Sequence, residues 1–350
     1  MSPTLQVIKI PPTFLYPKQN SSQPTKMTSN PQFNSRTSGA EVVAAFPQSV
    51  TGKTFVITGP TPGGLGAQTA LFLANAKPAS ILLLGRSESK ASPIVQEVQA
   101  ASPSTQVQFV QCDLGSYSPI RAAAQTVLSL APKIHVLINN AGVMAPAEYR
   151  TTAEGVEVQF GSNHIGHFLL TNLLMPALEA AATEGGARVV NLSSMGWGLG
   201  EVRFDDYNFN DGKDWEKWTA YGQSKTANIL FARGLARKLK AKGIQAFSLH
   251  PGGINTNLAR DVDFAAEMGD LIKMFNERGY VKVDTFDFKD HAQGTSTTLV
   301  AALDPALKDH SGAFLADCQI KETAEYTTKP EYVEKLWELS ENIVGEKFSI

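Results

Sequence analysis

Cysteine and long apolar runs are both scarce in this sequence of 350 residues. The two cysteines, Cys112 and Cys318, provide neither a disulfide framework nor the spacing of a metal site. We therefore interpret both as reduced thiols in an intracellular protein that binds no metal. No run approaches the roughly 18 consecutive apolar residues that a membrane-spanning helix requires. These absences argue against a disulfide-rich secreted domain and against a transmembrane protein.

An excess of charge of either sign is also missing. The 31 basic and 33 acidic residues are interspersed and give a formal net charge of −2. Proteins that bind nucleic acids or membrane surfaces usually concentrate basic residues on one face. We therefore expect neither kind of partner.

Aspartate and glutamate are absent from residues 1–40, which are instead rich in Ser, Thr, Asn and Pro. A segment so poor in core-forming side chains predicts a disordered tail. Two alternatives stay open, namely an organelle-targeting peptide, whose helix the prolines would interrupt, and translation from Met27. The folded domain is expected over residues 41–350, in a protein of the cytoplasm.

Short apolar runs alternate with helical patterns from residue 53 onward. Residues 53–58 predict a buried strand, and an Ala- and Leu-rich helix follows at 66–76. Further strands are predicted at residues 80–84, 107–111, 134–138, 188–192, 245–249 and 312–316. This alternation predicts a single doubly wound α/β domain with a mostly parallel, seven-stranded sheet and helices on both faces.

The first predicted strand leads into a glycine-rich turn with the sequence Thr58-Gly59-Pro60-Thr61-Pro62-Gly63-Gly64-Leu65-Gly66. Glycines let the backbone approach a pyrophosphate, and the N-terminus of the following helix attracts its charge. Pro60 and Pro62 have no N–H groups to offer a phosphate. The turn indicates a dinucleotide site, with a plain strand–turn–helix as the alternative.

The second predicted strand ends in Gly85-Arg86-Ser87, about twenty residues after the turn. An acidic residue there would bind the adenosine ribose 2′-hydroxyl of NAD, whereas an arginine suits the 2′-phosphate of NADP. Arg86 therefore predicts NADP(H), and Glu88 is the nearby carboxylate that would favour NAD. The alternative is that Arg86 is a solvated loop cation.

Tyr221 and Lys225 stand four residues apart where a helical pattern begins. Residues at this spacing share one face of a helix, so the phenol and the ammonium can point at the same small volume. Because a fixed ammonium favours the phenolate, we expect Lys225 to lower the Tyr221 pKa from its usual value of about 10. Tyr221 would then serve as a general acid and base.

Two further motifs accompany this pair, Asn191-Leu192-Ser193-Ser194 and Asn139-Asn140-Ala141-Gly142, each at the end of a predicted strand. In this order and spacing, the motifs resemble the short-chain dehydrogenase/reductase family over roughly residues 51–339. The chain departs from the family's Thr-Gly-x-x-x-Gly-x-Gly spacing by one extra residue between Gly59 and Gly64. The resemblance implies a Rossmann-type fold and NADP(H)-dependent interconversion of a carbonyl and an alcohol.

The resemblance also implies catalytic roles. Ser194, with Ser193 as the alternative, would hydrogen-bond the substrate carbonyl oxygen, and Tyr221 would donate the proton. Lys225 would lower the Tyr221 pKa and bind the nicotinamide ribose. The backbone carbonyl of Asn163 would hold a water that links Lys225 to solvent.

Cofactor contacts follow from the same resemblance. Asp113 would hydrogen-bond the adenine amino group, with an N-cap of the next helix as the alternative. Pro251 and Gly252 would contact the nicotinamide carboxamide, and Thr256 the pyrophosphate. The residues expected to contact the cofactor are Gly59, Gly64, Leu65, Gly66, Arg86, Asp113, Asn140, Ala141, Gly142, Tyr221, Lys225, Pro251, Gly252 and Thr256.

Three other segments have separate interpretations. His164 and His167 lack a third ligand at a metal-site spacing, so we interpret both as packed or surface histidines. The long insert between Ser194 and Tyr221 is similar to the retinol-dehydrogenase-like and protochlorophyllide-reductase-like branches, and is either structural padding or one wall of an apolar pocket. Residues 254–290 match the family's substrate lid, with a packed amphipathic helix as the alternative.

The expected partner is a small, apolar substrate molecule, and the similarity to fungal members of the family suggests secondary metabolism. Two other functions stay open: reduction of a carbon–carbon double bond on the same scaffold, and non-catalytic NADP(H)-dependent regulation. A protein that had lost catalysis need not retain Ser194, Tyr221 and Lys225, which argues against the second. Family members also include homo-oligomers.

Overall fold

The computed structural model describes residues 28–350. Its strands are β1 (Thr54–Thr58), β2 (Ser80–Gly85), β3 (Gln106–Gln111), β4 (Val136–Asn139), β5 (Ala187–Leu192), β6 (Ile244–His250), β7 (Gly253–Ile254), β8 (Phe288–Lys289), β9 (Phe314–Ala316) and β10 (Gln319–Lys321). Eight of them form one sheet in the order β10-β9-β6-β5-β4-β1-β2-β3, and β7 pairs with β8 separately. Neighbours in the large sheet are parallel except β9 and β10, which confirms the predicted doubly wound architecture.

The α-helices pack on both faces of the large sheet. They are α1 (Gly39–Ala45), α2 (Leu65–Ala74), α3 (Glu88–Ala101), α4 (Tyr117–Leu130), α5 (Val158–Phe160), α6 (Gly166–Leu173), α7 (Met175–Ala182), α8 (Lys217–Lys238), α9 (Phe264–Arg278), α10 (His291–Gly294), α11 (Ser296–Leu303) and α12 (Pro330–Val344). A π-helical segment, Gly161–Ile165, joins α5 to α6.

The alternation of side chains along the strands divides the core into two clusters. Phe55 and Ile57 of β1 pack with α1, α2, α3 and α11 on one face, whereas Val56 packs with α4, α6, α8 and α12 on the other. Both faces are therefore covered, as the continuous apolar runs of the strands require. Cys112 and Cys318 are free and buried in different clusters.

The large sheet has eight strands, so the prediction of seven was wrong. The extra strand is β10, which pairs antiparallel with β9 at the edge of the sheet. It contains three half-buried residues, Gln319, Ile320 and Lys321. A strand this short, with a single apolar side chain, has no hydrophobic pattern that sequence reasoning could detect.

The predicted tail boundary at residue 40 also needs correction. Ser29 donates its backbone N–H to Asp304 over 2.7 Å, and Arg36 forms a 2.7 Å ion pair with Asp287. The side-chain amide of Gln319 donates to the Phe33 carbonyl at 2.7 Å. Phe33 also packs against the core beside Phe46. Residues 28–40 thus belong to the folded domain. The rest of the predicted tail, residues 1–27, lies outside the described residues.

The helical pattern over 154–178 forms several helices rather than one. Pro176 stands in the first turn of α7, where its missing N–H is tolerated, but it cannot continue α6. The segments Val158–Leu173 and Met175–Ala182 consequently meet at a 59° bend. Among residues 28–350 no single helix is long and apolar enough to cross a membrane, and this bent pair meets that criterion by length and composition only.

The helix α8 packs unusually close to the turn that follows β5. Gly222 lies against this turn, so a Cβ at Gly222 would be 2.4 Å from the Gly200 nitrogen and 2.7 Å from the Leu199 carbonyl carbon. Backbone atoms cannot rotate away as a side chain can. Glycine at position 222 therefore sets the distance between α8 and the end of β5.

Replacement of Gly222 by alanine should destabilise the fold by about 1–3 kcal/mol, because the added methyl overpacks a backbone contact. The matched control is Gly269→Ala in α9, where a Cβ meets no atom within 4 Å. That variant should gain roughly 0.5–1 kcal/mol from helix propensity. Urea unfolding midpoints of the two variants test this contrast, and equal midpoints would contradict the close packing.

Candidate active site

One long cavity of about 720 Å³ lies at the carboxyl ends of the parallel strands. Its walls include residues at or just after the ends of five strands: Thr58, Gly85, Asn140, Leu192 and His250. The strand order reverses between β1 and β4, and ligands of doubly wound sheets bind at such a point. The cavity therefore occupies the position that the fold reserves for a ligand.

The glycine-rich turn forms one wall of this cavity. Gly59 has a φ of +77° and a Cβ there would be 3.0 Å from the Ala141 Cα. Gly64 and Leu65, at the start of α2, line the cavity, but Gly66 does not. A Cβ on Gly66 would lie 2.6 Å from the Asn140 amide nitrogen, so this glycine permits close helix packing instead.

Residues far along the chain contact the glycine-rich turn, which is one residue longer than the usual family turn. The Asn257 amide donates to the Pro62 carbonyl at 2.9 Å, and the ring Nε2 of His291 lies 3.0 Å from the Gly63 carbonyl. The enlarged turn therefore contacts Asn257 and His291 through its carbonyl groups and not through its N–H groups.

The end of β2 is the basic end of the cavity. Arg86 is exposed and lines the cavity beside Ser87 and Lys90, whereas Glu88 lies outside the lining. Asp113 also lines this end and accepts a hydrogen bond from the Gly115 N–H at 3.0 Å. The N-cap of α4 is Ser116, so the alternative interpretation of Asp113 as that cap was wrong.

Two of the predicted catalytic side chains share one face of α8. Tyr221 is 5% exposed and Lys225 is 4% exposed, and both line the cavity. Ser194 also lines the cavity, hydrogen-bonds Tyr221 and accepts the Gly196 N–H at 3.0 Å. The neighbouring Ser193 hydroxyl instead donates to the Lys225 carbonyl at 2.7 Å. The structure thus brings Ser194, rather than Ser193, to the phenol.

The pKa of Tyr221 differs from the sequence-based expectation. Burial raises it to about 12, and the hydrogen bond to Ser194 opposes that rise. The Lys225 ammonium lies 5.4 Å from the centroid of the Tyr221 ring and donates to the Leu192 carbonyl at 3.1 Å. Burial lowers the Lys225 pKa to about 8. The Tyr221 pKa therefore lies above its usual value and not below it as expected, because desolvation outweighs the nearby charge of Lys225.

Asn163 supports the site from behind the cavity wall. Its side-chain amide donates to the Val143 carbonyl and to the Ser224 hydroxyl, both at 2.9 Å. Its side-chain oxygen accepts the Val143 N–H at 2.8 Å. Asn163 is buried and does not line the cavity, so it ties the turn that contains Gly142 to α8.

The loop after β6 closes the cavity on the other side. Pro251, Gly252 and Thr256 all line the cavity. Gly252 has a φ of +112°, and a Cβ there would be 2.7 Å from the Lys289 side chain. The loop is supported by Lys289, whose buried ammonium forms a 2.7 Å ion pair with Asp317.

Apolar side chains form most of the other end of the cavity, and Arg150, Arg260 and Asp261 also line the cavity. The apolar lining residues are Met144, Met195, Leu199, Trp218, Leu258, Phe264, Leu271, Phe275, Phe286 and Phe288. Met195, Leu199 and Trp218 belong to the long insert, which thus forms a wall of the pocket. Other insert residues are structural, since Trp215 donates to the buried Glu157 carboxylate at 3.3 Å. Both interpretations of the insert are therefore correct, for different residues.

Several residues of this site were not identified from the sequence. Glu267 of α9 accepts hydrogen bonds from Lys217 at 2.7 Å and from the Trp218 indole at 3.1 Å, which fastens α9 over the apolar end.

His164 and His167 are both buried, in agreement with the interpretation as packed histidines. A buried carboxylate such as Glu157 has no distinguishing signal in a single sequence.

The comparisons with known proteins agree with this geometry. The family model described as short chain dehydrogenase matches residues 53–266. The chain is 36% identical to Retinol dehydrogenase 12 of Mus musculus over 296 residues, which covers 85% of this chain and 87% of that protein. It is 34% identical to Short-chain dehydrogenase TIC 32 A, chloroplastic, of Brassica napus, with 83% and 88% covered.

Solved structures show the same fold. An uncharacterised protein from Mycobacterium paratuberculosis has a TM-score of 0.66 and 31% identity, covering 88% of this chain and 98% of its own. NADPH-bound carbonyl reductase from chicken fatty liver has a TM-score of 0.53 and 24% identity, with 76% and 96% covered, and supports the fold alone. The chain therefore belongs to the retinol-dehydrogenase-like branch of the short-chain dehydrogenase/reductase family and is an oxidoreductase of carbonyl or alcohol groups.

Proposed function

We propose that this protein uses NADP(H) to reduce the carbonyl group of a small, apolar substrate to an alcohol. The observation that carries the proposal is the meeting of the Tyr221 and Ser194 hydroxyls in one cavity with a basic end and an apolar end. Retinol, in the names of several relatives, is an alcohol with a long apolar body, which suits such a pocket.

The residues along the cavity fit a nicotinamide dinucleotide. Neighbouring atoms lie too close to Gly59 and Gly66 for either position to carry a side chain. The first turn of α2, beside these glycines, has N–H groups that no residue of the helix can pair. Arg86 and Lys90 supply positive charge where the adenosine 2′-phosphate of NADP would lie. When bound, the nicotinamide supplies the hydride for reduction.

Tyr221 and Ser194 handle the substrate oxygen in this proposal. Ser194 donates a hydrogen bond to the carbonyl oxygen, and the Tyr221 hydroxyl gives it a proton as the hydride reaches the carbon. A phenol with a pKa of about 12 is protonated at neutral pH, which suits a proton donor. Release of this proton leaves a phenolate, which burial disfavours, so the phenolate needs a stabilising partner.

Lys225 and Asn163 act on this proton donor. The Lys225 ammonium, beside the Tyr221 ring, stabilises the phenolate that forms as the proton leaves. Asn163 holds Val143 and Ser224, and thereby the position of the cofactor-lining turn relative to α8. The carbonyl of Asn163 is the proposed site of a water that returns protons to Lys225.

The reaction class can be tested with NADPH that carries deuterium at the transferable position of the nicotinamide. The substrate should be an apolar α,β-unsaturated ketone, which offers both a carbonyl and a double bond. We expect deuterium on the carbinol carbon of an allylic alcohol, measured by mass spectrometry and NMR. Deuterium on the β carbon of a saturated ketone would instead establish the double-bond reductase.

The cofactor preference can be tested at Arg86. Loss of a charge-assisted contact with the 2′-phosphate in Arg86→Ala should raise the KM for NADPH by about 10- to 100-fold and leave that for NADH nearly unchanged. Arg237→Ala is the control, because Arg237 pairs with Glu334 on the surface. A wild-type preference for NADH, or an unchanged KM for NADPH in Arg86→Ala, would contradict the proposal.

A further inference from the structure

The imidazole of His167 connects two parts of the site that are far apart in the sequence. Its Nδ1 lies 3.0 Å from the Asn163 carbonyl oxygen, and its Nε2 lies 2.9 Å from the Thr58 hydroxyl. The ring is buried, with 2% exposure of the residue, and does not line the cavity. Its role therefore concerns neighbouring groups and not direct contact with a ligand.

The hydrogen-bond partners of His167 determine which of its two nitrogens carries the proton. The Thr58 hydroxyl oxygen accepts the N–H groups of Asn140 and Ala141, each at 2.9 Å. The Asn163 carbonyl can only accept a hydrogen bond, so Nδ1 carries the proton of the neutral ring. Nε2 is then the acceptor for the Thr58 hydroxyl, whose other acceptor is the Ile138 carbonyl at 3.5 Å. Burial lowers the His167 pKa to about 4, so the ring stays neutral in this tautomer.

Each end of this ring supports a different function. Thr58 holds the turn of Asn140 and Ala141, which lines the cofactor part of the cavity. Asn163 lies next to the catalytic lysine, since a Cβ on Gly142 would be 3.1 Å from the Asn163 side-chain oxygen and 3.8 Å from Lys225 Nζ. The imidazole is therefore a rigid spacer between the cofactor wall and the proton-donor helix.

We propose that His167 is a positioning residue that fixes the Asn163 carbonyl for proton supply through its Nδ1–H and fixes the cofactor-lining turn through its Nε2. The inference rests on the proposed function, because proton supply to Tyr221 matters only in that reaction. In this proposal Nδ1 of His167 affects turnover, and Nε2 affects cofactor binding, so the two effects can be measured separately.

His164 provides a matched control on the same helical segment. It is fully buried, and its Nε2 lies 2.7 Å from the Ser340 hydroxyl, while its Nδ1 has no partner. Aromatic rings of Phe160, Phe168 and Phe231 surround it. It therefore resembles His167 in burial and hydrogen bonding, but neither of its ring nitrogens bonds to a residue of the site.

The two nitrogens can be separated by amide substitutions. In His167→Asn the amide nitrogen lies near the former Nδ1 and keeps a donor for the Asn163 carbonyl. In His167→Gln the longer side chain reaches the former Nε2 and keeps an acceptor for Thr58. The experiment measures kcat at saturating NADPH, the NADPH dissociation constant by fluorescence, and the unfolding midpoint for these variants, for His167→Leu and for His164→Leu.

We expect His167→Gln to lower kcat about tenfold with an NADPH dissociation constant within about twofold, and His167→Asn to weaken NADPH binding about tenfold with a smaller loss of kcat. His164→Leu should lose stability like His167→Leu but keep its kinetics. Wild-type kcat and NADPH affinity in both amide variants would overturn the proposal, as would equal kinetic losses in both leucine variants.

A failure of the proposed function would give a different pattern. Wild-type protein that binds NADPH but reduces no carbonyl would contradict the reaction, while weaker NADPH binding in His167→Asn would still support the role of Nε2. If His167→Leu does not fold, the Asn and Gln variants decide the matter.

Discussion

The attachment of α8 to the end of β5 is the constraint on which the rest of the site depends. The Leu192 carbonyl accepts hydrogen bonds from Lys225 at 3.1 Å and from Asn228 at 2.9 Å. The Ser193 hydroxyl returns a hydrogen bond to the Lys225 carbonyl at 2.7 Å. A buried ammonium needs such partners, because burial without them costs several kcal/mol. These bonds place Tyr221 opposite Ser194.

The sheet topology then supplies the cavity, and the loops supply its chemistry. The reversal of strand order between β1 and β4 separates the turns after those strands and leaves room for a dinucleotide. The long insert and α9 add an apolar end, which Glu267 holds together through Lys217 and Trp218. One cavity thus has a basic end, the Tyr221 and Ser194 hydroxyls and an apolar end, and the proposed function rests on this combination.

Features that depend on buried apolar runs and on side-chain chemistry at strand ends could be predicted from the sequence. The parallel strands and the convergence of Ser194, Tyr221 and Lys225 on one cavity follow from such patterns. Features that depend on long-range polar contacts could not. The Gln319 amide holds the segment near residue 33, and nothing local to either segment indicates this pairing.

The pKa of Tyr221 is another property that could not be predicted from the sequence. The spacing of Tyr221 and Lys225 indicates that they share a helix face, but the degree of burial is a property of the whole fold. Here desolvation raises the phenol pKa and lowers the ammonium pKa. The hydrogen bond between His167 Nε2 and the Thr58 hydroxyl likewise joins residues that are 109 positions apart in the chain.

The most direct test of the account is the rate of NADPH-dependent carbonyl reduction by Tyr221→Phe, measured beside the NADPH dissociation constant of the same protein. The substitution removes the proposed proton donor and leaves the ring in place. The account predicts a loss of about 10²- to 10⁴-fold in kcat with nearly unchanged NADPH binding. Retention of most of the activity would show that another group protonates the substrate and would contradict the central claim.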